Sequence, residues 1–196
     1  MKSFNFVLFD GFETLDAFGP AEVVNAIPDG YNLKYYSLNG GPVVSSQGIS
    51  VNTLSFSEIE SSGVLLIPGG MGTRTLVNDE NFIEQLKSIS VKASYVLTVC
   101  TGSALLAKTG LLDGLKATSN KRAFDWASSN GPFVNWVKKA RWVVDGKFYT
   151  SSGISAGIDM ALGFVRDTEG LETANTIATI MEYTWNSDMD TDPFAL

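Results

Sequence analysis

Tyr95-Val-Leu-Thr-Val-Cys-Thr-Gly-Ser-Ala-Leu-Leu-Ala-Lys108 changes character at its middle. Tyr95–Val99 is a short, mostly apolar run of the kind that forms a strand buried on both faces. Cys100-Thr-Gly-Ser103 interrupts it, and Ala104–Lys108 is a stretch of helix formers. A strand that passes at once into a helix through small residues predicts a sharp turn, and the residue at its apex is the chain's one cysteine. The same pattern recurs on the N-terminal side. Phe4–Phe9 reads as a buried first strand ending at Asp10-Gly11, and Gly63–Pro68 as another ending at Gly69-Gly70.

Helices fill the intervals. Asp16-Ala-Phe-Gly-Pro-Ala-Glu22 opens one, with Pro20 expected in its first turn and Val23, Val24 and Ile27 as its apolar face. Asp79–Ser90 has helical spacing at Phe82, Ile83, Leu86 and Ile89; Lys121–Ser128 reads as a short helix; Ala156–Asp167 and Leu171–Tyr183 close the chain. Leu33–Leu38 is a further strand. Pro42–Leu54 around Gly48, and Lys139–Val144 with Lys147–Thr150 around Asp145-Gly146, are expected hairpins. Apolar strands alternating with helices predict a single α/β domain over residues 1–196, with a mostly parallel sheet covered by helices on both faces. Ligands in such sheets bind beyond the carboxyl ends of the strands. Three segments fall there: Gly11–Gly19, Pro68–Thr73 and Cys100–Gly102.

Composition narrows the chemistry. Acidic residues outnumber basic ones by 21 to 14, a net charge of −7 that repels a phosphate backbone, so no nucleic-acid partner is expected. No run approaches the roughly 18–20 apolar residues that span a bilayer, so no membrane partner is expected either. The N-terminal stretch turns acidic too soon for a signal peptide, and one cysteine permits no internal disulfide; both fit a cytoplasmic address. Asp188–Asp192 is expected to be a solvated acidic end. Histidine is absent. That removes Ser-His-Asp and Cys-His relays and imidazole metal ligands, so neither a metal nor a cofactor is expected.

Cys100 is the candidate nucleophile, because small neighbours and a following helix N-terminus expose a thiol and favour its thiolate. Gly69 and Gly70 offer backbone N–H groups beside it, and with the Thr101 N–H they would stabilise developing negative charge. Asp16, past the first strand and just before Gly19-Pro20, is the candidate acid or base, with a plain N-cap as its ordinary alternative. Asp10, Glu13 and Glu22 are weaker candidates. Ser152 or Ser155 is expected to cap the helix after Gly153. The tryptophans at 126, 136, 142 and 185 are expected in core or interface sites more than around a ligand.

The chain resembles the ThiJ/PfpI superfamily, and within it the isocyanide (isonitrile) hydratase branch. The likeness is carried by Phe9-Asp-Gly-Phe-Glu-Thr-Leu-Asp-Ala-Phe-Gly-Pro20, Ile67-Pro-Gly-Gly-Met-Gly72, Val99-Cys-Thr-Gly-Ser103, Gly110-Leu-Leu-Asp-Gly-Leu-Lys-Ala-Thr118 and Gly153-Ile-Ser-Ala-Gly-Ile-Asp159. It implies the class I glutamine amidotransferase-like fold, a flavodoxin-like sandwich, and a homodimer. It further implies a cysteine nucleophile at Cys100, an aspartate partner at Asp16, the threonine at Thr101, the glycine-rich strand end at Gly69 and Gly70, and the loop isoleucine at Ile154. Many relatives carry a histidine just after Ala117-Thr118, where this chain has Ser119-Asn120-Lys121. The implied activity is hydration of a small-molecule isocyanide; glyoxalase or deglycase chemistry, and a non-enzymatic redox-sensing or ligand-binding dimer, are the alternatives.

Overall fold

The computed structural model describes residues 2–59 and 62–195. The apolar runs become the centre of one eight-stranded sheet in the order β3-β4-β2-β1-β5-β6-β10-β9. Its strands are β1 (Lys2–Val7), β2 (Tyr31–Ser37), β3 (Asn39–Val44), β4 (Ser50–Ser55), β5 (Val64–Ile67), β6 (Tyr95–Thr98), β9 (Trp142–Asp145) and β10 (Phe148–Ser151). From β4 to β10 every pairing is parallel; only the edge strands β3 and β9 run antiparallel, each as half of an expected hairpin. β5 and β10 are buried at every position, as strands covered on both faces must be. A separate pair of two-residue strands, β7 (Lys116–Ala117) and β8 (Asn135–Trp136), has too little sequence to announce itself.

The helices are α1 (Thr14–Asn25), α2 (Thr73–Leu76), α3 (Glu80–Lys92), α4 (Gly102–Lys108), α5 (Phe124–Ser129), α6 (Ala156–Glu169) and α7 (Leu171–Ile180). α1, α6 and α7 pack together as one layer, and α4 gathers α2, α3 and α5 in the other. Gly19 lets α1 approach α6: a Cβ there would lie 2.8 Å from Ile158 Cγ1. On α6, Phe164 sets its ring edge against Tyr95 and Tyr149, at centroid distances of 5.3 and 5.5 Å, and so seats the helix on the sheet. Among the described residues no helix is long and apolar enough to cross a membrane.

The chain leaves β1 towards β2 on one side and returns to β5 on the other, so the order reverses at β1. Register aligns the carboxyl ends that follow: Phe6 pairs with Leu66, Ile67 with Thr98, and Thr98 with Thr150. The next residues of these strands therefore share one edge. They include Gly69, Cys100 and Ser152.

Two expectations fail locally. Pro20 lies inside α1, because the helix begins at Thr14. Lacking an N–H, it cannot bond the carbonyl of Asp16 one turn earlier. The acidic tail is a solvated end only in part: Asp188 and Asp190 are exposed, and Asp192 is not. Asp192 is buried, its N–H donates to the Lys139 carbonyl at 2.7 Å, and its carboxylate lies 3.7 Å from Arg141 Nη1. Arg141 also donates through Nε to the fully buried Asp159 at 2.6 Å, which further accepts from Tyr183 Oη and the Asn186 N–H at 3.0 Å each. One buried guanidinium thus docks the tail onto α6.

Removing one partner of a buried ion pair strands the other's charge, at a cost of about 3–5 kcal/mol. Arg141→Met is expected to lose stability of that order in urea unfolding, and Arg141→Met/Asp159→Leu to recover part of it. A loss under about 1 kcal/mol for the single variant would contradict the assignment.

Candidate active site

Cys100 follows β6 at φ 57°, in the left-handed region that a side chain other than glycine enters at a cost. Its surroundings hold it there. The Cys100 N–H donates to the Ser152 carbonyl at 3.2 Å. Its own carbonyl accepts from Ser103 Oγ at 3.0 Å and from Ser119 Oγ at 2.9 Å. Gly102 N–H bonds back to the Val99 carbonyl at 3.0 Å, closing the turn before α4.

Asp16 occupies the first turn of α1 and is fully buried; the N-cap position belongs to Glu13. Its Oδ2 accepts the Gly69 N–H at 2.9 Å, while its Oδ1 has no hydrogen-bond partner among the described residues. The Gly70 N–H donates to Thr101 Oγ1 at 3.1 Å, and Thr73 Oγ1 stands 3.1 Å from the same hydroxyl. Both glycine N–H groups are therefore engaged within the site. Gly69 is required by closeness: a Cβ would sit 2.6 Å from the Thr101 nitrogen and 2.9 Å from Asp16 Oδ2. Gly70 adopts φ 122°, where a Cβ would collide with the Gly11 carbonyl. The Glu13 N–H donates to the Gly69 carbonyl at 2.8 Å and fastens the start of α1 to the same strand end.

Burial governs the protonation of both reactive groups. Desolvation raises the Asp16 pKa to about 7; the Gly69 N–H opposes it, the nearby Glu13 charge adds to it, and the Cys100 thiol lowers it least. The thiol stands beside the carboxyl without completing a bond to Oδ1. Cys100, 7% exposed, is pushed up to about 12, first by burial and then by the Asp16 charge. The backbone and hydroxyl of Thr101 and the Asn120 amide pull it down without prevailing. The thiolate expected from a helix N-terminus is outweighed by desolvation.

Over the sulfur opens a cleft of about 420 Å³ whose wall includes Thr101, Asn120, Arg74, Arg122 and Ile154. Ile154, 40% exposed, sits at φ 45° in the loop between β10 and α6. No tryptophan lines this cleft. Trp126 lies under Arg74 at 3.4 Å, Trp136 and Trp185 donate to the carbonyls of Gly131 and Asp159, and Trp142 is fully buried. Ser155 occupies the N-cap of α6 without a side-chain cap, and Ser152 serves Cys100 through its carbonyl.

Residues 2–167 match the family model described as "DJ-1/PfpI family". The chain belongs to the DJ-1/PfpI family. It is similar to the isonitrile hydratase of Pseudomonas putida, with 36% identity over 91% of this chain and 77% of that protein. It is also similar to the HTH-type transcriptional regulator CdhR of Pseudomonas aeruginosa, at 30% identity over 88% of this chain and 52%, about half, of that regulator. A crystal structure of a ThiJ/PfpI family protein from Pseudomonas syringae superposes with a TM-score of 0.84 at 27% identity, covering 98% of this chain and 77% of that one.

Of the residues singled out in this DJ-1/PfpI chain, Cys100, Asp16, Gly69, Gly70 and Thr101 form one contact network, and Ile154 stands on the cleft wall with Cys100 and Thr101. Ser119, Asn120 and Arg74 were not legible as site residues. Asn120 had a signal: it lies in Ser119-Asn120-Lys121, the stretch where the resemblance led one to expect a histidine. Its Oδ1 accepts the Ala123 N–H at 3.0 Å, which leaves the amide N–H₂ to face the sulfur.

Asp16 binds its proton more tightly folded than unfolded, so its contribution to stability is fullest below about pH 4 and is lost as pH rises through about 7. Asp16→Asn escapes that loss. Its stability relative to wild type is expected to grow by a few kcal/mol between pH 4.5 and pH 8, measured by chemical denaturation. A difference that is constant or shrinks with pH would refute the raised pKa.

Proposed function

We propose that the protein adds water to an organic isocyanide, giving an N-substituted formamide. One observation carries the proposal: a buried carboxyl that titrates near neutrality stands with an unpartnered oxygen beside the only thiol of a chain without histidine. The similarity to an isonitrile hydratase supports it.

The two groups act as a unit that holds one proton in the working pH range. The Asp16 carboxylate takes the Cys100 proton as the sulfur attacks the terminal isocyanide carbon, then gives that proton to the same carbon. An S–C bond and a C–H bond form, and the product is a thioimidate on the enzyme. Water adds to the thioimidate carbon, and Asp16 passes one of its protons to the nitrogen. Asp16 then takes the proton of the adduct hydroxyl and returns it to the sulfur as the C=O bond forms and the C–S bond breaks, so the thiol is restored and the formamide leaves. General acid–base transfer of this kind contributes about 10²–10⁴ in rate.

In this scheme Gly69 and Gly70 position Asp16 and Thr101 through the N–H groups they already commit. Thr101 and Asn120 steady the sulfur as it gains charge, and Ile154 shapes the cleft. A homodimer and a cytoplasmic address belong to the same proposal, on the strength of the family resemblance and the cysteine content. Redox sensing has less support, because a thiol that stays protonated near neutral pH reacts slowly with peroxide.

Turnover of an aryl isocyanide, followed by absorbance, is expected for wild type and absent in Cys100→Ala, with Asp16→Asn at least about a hundredfold slower. kcat/KM is expected to rise about tenfold per pH unit up to about 7 and then level, because the active form carries one proton on the pair. Equal turnover in wild type and Cys100→Ala, or a flat profile from pH 5 to 9, would defeat the proposal. Lactate formed from methylglyoxal without isocyanide turnover would instead favour glyoxalase chemistry.

A further inference from the structure

The cleft over Cys100 is cationic in a protein whose net charge is −7. Arg74, from α2, and Arg122, just before α5, both line it. Among the described residues the arginine ion pairs belong to Arg141 and Arg166; neither Arg74 nor Arg122 has a carboxylate partner or a side-chain hydrogen bond. Unpaired guanidinium groups are ordinary when they point into solvent. Arg74 does not behave that way: its guanidinium carbon lies 3.4 Å from the centre of the Trp126 ring. Stacking uses the face of the guanidinium and fixes its plane, leaving the N–H edges available to a ligand. Arg74 also interacts electrostatically with Cys100, which sets it near the sulfur.

Two carboxylates stand near these arginines: Glu13 on the cleft wall, already engaged by Gln47 Nε2 at 2.8 Å, and Asp16, buried beside Cys100. Neither pairs with Arg74 or Arg122, and the planar N–H edge of a guanidinium matches a carboxylate. A wholly apolar substrate would leave these groups to be desolvated without compensation.

We propose that Arg74 and Arg122 receive a carboxylate on the substrate, so that the molecule hydrated at Cys100 is an isocyanide bearing a carboxylate at its far end. This deepens the hydratase assignment and rests on it for the reacting group, though not for the anion site. Arg74, held over the Trp126 ring, sets the orientation; Arg122, exposed, closes the pair over the carboxylate.

The first test compares 4-isocyanobenzoate with 4-isocyanotoluene at low salt. Wild type is expected to favour the carboxylate by about tenfold or more in kcat/KM, mainly through KM, and the preference is expected to weaken as salt is added. Arg122→Glu and Arg74→Met/Arg122→Gln are expected to bring the two substrates close to parity. Because Arg122 is exposed, its charge reversal reads the effect even where loss of the Trp126 stack harms folding. Parity in wild type, or a preference that survives in both variants, overturns the proposal.

The second test needs no hydration. Rates of Cys100 alkylation by iodoacetate and iodoacetamide are compared with the same ratio for free cysteine, by intact mass. A shift of about tenfold towards iodoacetate, lost in Arg122→Glu, supports the anion site even if neither isocyanide is turned over; in that case only the hydratase assignment falls. A ratio equal to that of free cysteine, read at pH 9 over long incubation so that the slow thiol still reacts, overturns the anion site whether or not isocyanides react.

Discussion

The hydrogen bond from the Gly69 N–H to the Asp16 carboxylate, 2.9 Å long and fully buried, is the contact on which the rest of the site depends. It joins the first helix to the end of β5. Gly69 is pressed so closely between Asp16 and Thr101 that no larger residue fits, so the same residue that orients the acid also sets where the nucleophile's turn lies. Thr101 passes the constraint on: its hydroxyl receives the Gly70 N–H, and its backbone reaches the sulfur of Cys100. The left-handed backbone at Cys100 persists because Ser103, Ser119 and Ser152 fix its carbonyl and N–H from three different segments. Asp16, the turn and Cys100 are thus one mechanical unit built across three strand ends.

That unit sets the electrostatics. A carboxyl with one strong donor and one unpartnered oxygen is poorly compensated for burial, which is why its pKa climbs to about 7. The same burial raises the thiol, and the Asp16 charge raises it further. The two effects fit together, since a second negative charge in one buried space is more costly than the first. In the proposed hydration, stability and chemistry are opposed: at pH 8 the fold carries an ionised buried carboxylate that an amide would not impose, and that ionisation is what lets Asp16 take a proton from sulfur.

Much of this was legible in the sequence, for reasons that can be given residue by residue. Val64–Ile67 and Tyr95–Thr98 are strands made almost wholly of apolar residues, so composition and burial agree and the parallel core could be read directly. Cys100, Asp16 and the glycine pair could be named because each follows a strand that ends abruptly. Other features rest on contacts between distant positions. Pro20 looked like a first-turn residue because Thr14 and Leu15 carry no strong start signal. The tail 188–192 looked solvated because nothing in Asp192 itself announces Arg141. The glycine N–H groups looked free because their acceptors, Asp16 and Thr101, lie 53 and 31 residues away. The height of the Cys100 pKa follows from burial, which a motif does not report.

The lack of histidine gives these details a common direction. An imidazole beside the thiol would bring a group that titrates near neutrality by nature and would hold the sulfur as a thiolate through its positive charge. Without it, the available way to obtain such a group is to lift a carboxyl by burial, and burial lifts the thiol as well. A cysteine–aspartate pair made this way rests as thiol and carboxylate, and is quiet towards electrophiles that need a preformed thiolate. It suits a substrate that accepts sulfur and proton at the same atom, because the proton Asp16 removes is the proton it must return. The terminal carbon of an isocyanide has that property; a carbonyl carbon, which needs its proton on oxygen, does not. On the proposed function, the pairing of this acid with this thiol favours addition across a single carbon over acyl transfer, for the same physical reason that Asp16 titrates near 7.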